Sequence, residues 1–143
     1  MGLLAFQAKI PSTPFEYDGR SLLDLKDRLW IKGDLLDYFG VRNRVDVIDT
    51  QSIGAGILFL RKTKATMEII DQWLNVYNTS FSLADDSPSL SPNLSEFIEH
   101  RHDQSIFSII CKLRGIKTIS AYEYWYPSRS NISKPDWQAL KNY

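Results

Sequence analysis

The sequence predicts an α/β domain built on a small mixed or mostly parallel sheet with flanking helices. Three observations lead there. Short strand-like stretches alternate with helical ones along the chain. The run Ile57–Leu60 is continuously apolar, the pattern of a buried central strand. Two segments, Thr63–Tyr77 and Gln104–Arg114, repeat apolar residues at amphipathic-helix spacing. At 143 residues the chain has room for one domain with a substantial core and not for two ordinary ones.

Taken in order, Leu3–Ala8 reads as a short buried strand, and two prolines and a glycine in "PSTPFEYDGR" break it. Ser21–Phe39 carries leucines at mixed helical spacing, interrupted at Gly33 and closed by Gly40, which predicts one or two short helices. "VDVID", residues 45–49, is strand-like. Gln51–Lys62 ends in the apolar strand, and its two glycines imply a close backbone approach. Thr63 can cap the helix that follows, with Met67, Ile70, Trp73, Leu74 and Tyr77 on its inward face. The Ser-, Pro- and Asp-rich stretch "SFSLADDSPSLSPNLSEF" reads as a long mobile loop or lid. Gln104–Arg114 turns Ile106, Ile109, Ile110 and Leu113 inward and stops at Gly115 in the left-handed position. "IKTIS" is a strand, and an aromatic tail with a short helix near Asp136–Lys141 ends the chain.

Composition narrows the function classes. Lys plus Arg equals Asp plus Glu at 17 each, so no global field draws the chain to nucleic acid or an anionic membrane. Cys111 is alone, which excludes an intrachain disulfide and fits a reducing, cytoplasmic setting. No apolar run approaches the roughly 20 residues of a membrane span. The start lacks a basic segment, so no signal peptide is expected. Phe6 stands where a myristoylation motif wants Ser or Thr. Sequons at Asn78, Asn93 and Asn131 carry no weight without secretion. The aromatic cluster Tyr122, Tyr124, Trp125 and Tyr126 suits packing or sugar stacking.

The candidate chemistry gathers at "HRHDQ", where both histidines of the chain stand before the second helix. Three readings are open. Asp103 is a good N-cap, with a charge suited to the helix dipole. His100 and His102 followed by Asp103 resemble part of a zinc hydrolase cluster, but no further histidine completes three ligands. Asp103 and Gln104 side by side suit a polyol, since one accepts hydrogen bonds while the other donates and accepts. The helix mouth beneath them favours phosphate.

"QSIGAGILFLRKTKATMEIIDQWL", followed by "HRHDQSIFSIICK", resembles the C-terminal half of GT-A-fold glycosyltransferases, most like bacterial enzymes of capsular and lipopolysaccharide synthesis. The resemblance runs from Gly2 to about Tyr126, giving a partial transferase-like domain at 1–126 and a tail at 127–143. It implies transfer of a hexose from a nucleotide sugar to a bacterial surface glycan. Asp103 and Gln104 fit the family's pair beside the donor sugar, which implies that they are the catalytic residues, Asp103 orienting sugar hydroxyls and Gln104 contacting the donor near its reactive carbon. Ala55 and Gly56 fit its active-site strand, with Gly54 where an asparagine is frequent. His102 joins the substrate-binding set, and His100 and His102 lie near a metal-binding histidine of some relatives, which implies manganese or magnesium. The family's Asp-x-Asp has no counterpart here. A truncated gene, or half of a split enzyme, is therefore expected, assembled as a homo-oligomer or with a partner chain. The alternatives are a non-catalytic remnant serving as an interaction module and, more distantly, a divalent-metal hydrolase.

Overall fold

The computed structural model of the protein describes residues 4–7, 16–17, 20–21 and 26–120. Three strands form one sheet: β1 (Leu4–Gln7), β4 (Ile53–Phe59) and β5 (Thr118–Ser120). β1 lies between the other two, antiparallel to β4 and parallel to β5, so the sheet is mixed as expected. β2 (Glu16–Tyr17) and β3 (Arg20–Ser21) pair separately as a short antiparallel ladder. Among the described residues β4 therefore sits at an edge, not at the centre that its apolar run suggested.

Among the described residues one long helix packs directly on β4, and a second packs on that helix. α3 (Lys64–Thr79) and α4 (His102–Leu113) run antiparallel, with the Trp73 and Phe107 rings 4.7 Å apart between them. Every residue of α4 from Ser105 to Cys111 is buried, which identifies it as the central helix. Leu113, expected inward, is 38% exposed; Phe107 and Cys111 fill the core instead. Gly115 takes φ 60° and ends the helix as predicted. In α3 the Thr63 hydroxyl accepts the Thr66 N–H at 3.2 Å, the expected cap. The helix is rotated from its expected setting, however. Thr66, Ile69 and Val76 are buried, while Met67 and Leu74 are 42% and 55% exposed. Trp73 and Tyr77 do pack against the core, Trp73 on Phe107, so the buried face is shifted by part of a turn and keeps these two of the expected residues.

"VDVID" is not a strand. Val45–Ile48 forms the one-turn helix α2. Val47 and Ile48 are both buried, and a helical turn can send adjacent residues inward where a strand sends them to opposite faces. Thr50 closes the turn by donating to the Val47 carbonyl at 2.9 Å.

Gly33 does not interrupt a helix; it starts α1 (Gly33–Tyr38), preceded by a 3₁₀ turn at Asp27–Leu29. The Ser/Pro-rich segment, expected as a mobile loop, is pinned to this start. The Gly33 N–H donates to Asn93 Oδ1 at 2.7 Å, and the Asp34 N–H donates to Ser89 Oγ at 2.9 Å. Asp34 in turn accepts the N–H groups of Leu90 and Ser91 at 2.9 and 2.7 Å. The free amides of the helix end are thus satisfied from 55 to 60 residues away. Only glycine fits at 33, because an added Cβ would meet Pro92 O at 2.4 Å. The expected C-terminal helix, the Tyr122–Tyr126 cluster, the sequon at Asn131 and the 126/127 boundary lie outside the described residues.

Candidate functional site

The first turn of α4 carries the predicted pair. Helix α4 begins at His102, two residues before the expected Gln104. Asp103 is thus inside the first turn and is not the N-cap, a position held by Arg101. The Arg101 N–H donates to Ser105 Oγ at 3.1 Å, and Ser105 donates to the Trp30 carbonyl at 2.6 Å. The Arg101 guanidinium lies 4.3 Å over the Trp30 ring. Asp103 is left exposed, with its charge at the helix end where the dipole favours it.

Gln104 points to the sheet. Its Nε2 donates to Ser52 Oγ at 3.2 Å, one residue before β4 begins. One turn further along, Ser108 Oγ accepts the Ile53 N–H at 2.9 Å. The fold therefore brings the Asp-Gln helix mouth against the strand carrying Gly54, Ala55 and Gly56. The glycines have a structural reason of their own. Gly54 pairs with Phe6 and Phe59 with Leu4, so β4 advances five residues while β1 advances two. Ala55 and Gly56 lie in that irregular stretch, where glycine tolerates the bend.

The two histidine rings meet edge to face, 5.7 Å between centroids, but take different partners. His100 is 7% exposed and fully engaged: its Nε2 donates to the Leu83 carbonyl at 3.0 Å, and its Nδ1 accepts the Lys32 N–H at 3.4 Å. Burial, reinforced by the Lys32 charge, pushes its pKa down to about 4, so it is neutral. With both nitrogens committed, His100 has no lone pair for a metal, which corrects its assignment as a ligand. His102 stands at the surface, its Nε2 2.7 Å from Asp86 Oδ1. Its φ is 47°, a left-handed conformation costing a non-glycine residue about 1–2 kcal/mol. Among the described residues no group of three His, Cys, Asp or Glu side chains could hold a metal ion. The histidines thus do not fit the manganese or magnesium of the resemblance.

Asp86 links the helix mouth to a cleft of about 240 Å³ bordered by Lys32, Asp85, Asn93, Glu99 and His100. This is smaller than the roughly 300 Å³ at which drug-sized sites begin, and it suits one small polar molecule. Lys32 is not free to bind an anion there. Its ammonium donates to the carbonyls of Asp85 and Ser87 at 2.9 and 3.3 Å and lies 3.5 Å from the Asp85 carboxylate.

Sequence reasoning missed a buried polar network behind the site. Asp27 is fully buried; its Oδ2 accepts from Ser108 Oγ and Lys112 Nζ, both at 2.6 Å. Lys112 also donates to the carbonyls of Val47 and Thr50 at 2.9 and 3.1 Å. Burial pushes the Asp27 carboxyl up and the Lys112 ammonium down, while their mutual attraction opposes both shifts. A signal existed: Ser105, Ser108 and Lys112 form a polar stripe at i, i+3 and i+7 through an otherwise apolar helix. All three reach the Asp27–Trp30 segment.

Compared with known proteins, the chain matches no family model, no curated protein and no solved structure.

Proposed function

We propose that the chain is a glycosyltransferase-like sugar-recognition domain, serving transfer of a hexose from a nucleotide sugar to a bacterial surface glycan. One observation carries the reading: the Gln104–Ser52 hydrogen bond at 3.2 Å, which joins the Asp-Gln helix mouth to the strand of Gly54–Gly56 across 52 residues of chain. Those are the two motifs on which the resemblance rests. Exposed Asp103 accepts hydrogen bonds from sugar hydroxyls, while Gln104, anchored on Ser52, fixes the helix mouth against the strand. The second reading, an interaction module that kept the fold without the chemistry, is favoured by the commitment of Lys32 to Asp85 and Ser87, which leaves the cleft without a free ammonium for a diphosphate.

The test is a titration of the isotope-labelled full chain with methyl hexopyranosides and with nucleotide hexoses, each with and without manganese, followed by NMR. The amide signals of residues 102–104 move with the hexopyranosides, the movement disappears in Asp103→Ala, and manganese adds little. If no hexose in either form perturbs these residues, the sugar reading fails and the interaction module takes its place.

A further inference from the structure

The exposed end of α3 carries an apolar surface that the core uses only in part. Phe81, in the 3₁₀ turn that follows the helix, is 65% exposed, and Leu74 is 55% exposed. Tyr77 is half-buried, with its ring centroid 6.2 Å from that of Phe81. The antiparallel pairing of the helices sets what lies beside them. Trp73 stacks on Phe107, so one turn further along α3 and one turn back along α4 bring Tyr77 beside Asp103. Burial raises the pKa of the Tyr77 phenol, and the nearby Asp103 charge adds to the shift. Tyr77 therefore borders an exposed carboxylate on one side and Phe81 on the other.

This combination selects its ligand. A purely apolar partner helix would bury Asp103 without a counter-charge, which is unfavourable. A pyranose offers hydroxyls at its rim and a flat C–H face, and so meets both surfaces at once. We propose that Phe81, backed by Tyr77, is the stacking surface for the C–H face of a hexopyranose whose hydroxyls reach Asp103. The inference rests on the reading of the α4 mouth as a sugar site and adds the residues that discriminate a pyranose from an arbitrary polyol.

The experiment compares the full chain with Phe81→Ala and Phe81→Tyr, titrating each with methyl hexopyranosides and with glycerol. Phe81 is largely exposed, so its removal leaves the melting temperature nearly unchanged. Hexopyranoside affinity drops about fivefold or more in Phe81→Ala and recovers in Phe81→Tyr, whereas the response to glycerol stays the same. If the hexopyranosides perturb residues 102–104 equally in the parent and in Phe81→Ala, the stacking surface is wrong while the sugar site stands. If they perturb neither protein, the sugar site and the stacking surface fall together.

Discussion

Replacing Lys112 with Met isolates the main polar anchor of the fold. In the parent protein the ammonium holds three oxygens, from Asp27, Val47 and Thr50, and so ties the 3₁₀ turn, α2 and the approach to β4 onto α4. Methionine keeps the length of the side chain and removes the charge. Asp27 then remains fully buried with Ser108 as its partner, and its Oδ1 already lacks one. Stranding a buried charge in this way costs about 3–5 kcal/mol. The total stability of a domain is about 5–15 kcal/mol, so the variant is marginal at neutral pH. Asp27→Leu with Lys112→Met removes both charges and recovers most of the loss, because an apolar pair of similar volume replaces a costly buried ion pair. Urea denaturation followed by circular dichroism measures the four corners of this cycle. A loss of 3–5 kcal/mol moves the midpoint by more than about 1 M at the slopes usual for small domains. The sign with pH is fixed as well. Burial raises the folded pKa of Asp27 above its ordinary value. Without Lys112 the carboxylate takes up a proton more readily, so the deficit of Lys112→Met shrinks as pH falls from 8 to 5. Single losses below about 1 kcal/mol that add in the double variant would refute the reasoning, since they would mean that the pair is solvated and uncoupled.

Two further outcomes follow from the loop that packs on α1. His100 is neutral in the fold, with a pKa lowered from 6.5 to about 4, so its contribution is intact above pH 6.5 and is lost as pH falls toward 4, by about 3 kcal/mol. His100→Gln flattens that part of the stability-versus-pH curve, and identical curves for the two proteins would remove His100 as the cause. Gly33→Ala forces Pro92 away from a contact of 2.4 Å and costs about 1–3 kcal/mol. Hydrogen exchange then accelerates at the Leu90 and Ser91 amides, which Asp34 otherwise holds; unchanged protection there would contradict the pinned loop.

What the sequence made legible depended on how local each signal was. The α3 cap at Thr63, the Gly115 stop and the strand at Thr118–Ser120 are set by neighbours in sequence, and each was readable. The rotation of α3 was not, because Met67, Ile70, Trp73, Leu74 and Tyr77 form as good an apolar stripe as the one that is buried. Which of these residues turn inward is decided by the distant core on which the helix packs, where Trp73 and Tyr77 go in and Met67 and Leu74 stay out. The long loop misled for the same reason. Serine, proline and aspartate are turn formers when nothing else is present, but here Ser89 and Asn93 act as caps for a helix that lacks a side-chain cap of its own. His100 repeats the pattern. Beside His102 in sequence it resembled half of a metal site. Its partners, the Leu83 carbonyl and the Lys32 amide, lie 17 and 68 residues away and leave it neither a charge nor a lone pair. The α4 mouth is a local feature: Asp103 and Gln104 are consecutive, and successive helical residues point about 100° apart. One therefore faces solvent while the other reaches Ser52. That divergence leaves an exposed carboxylate on a turn that its neighbour ties to the sheet through Ser52.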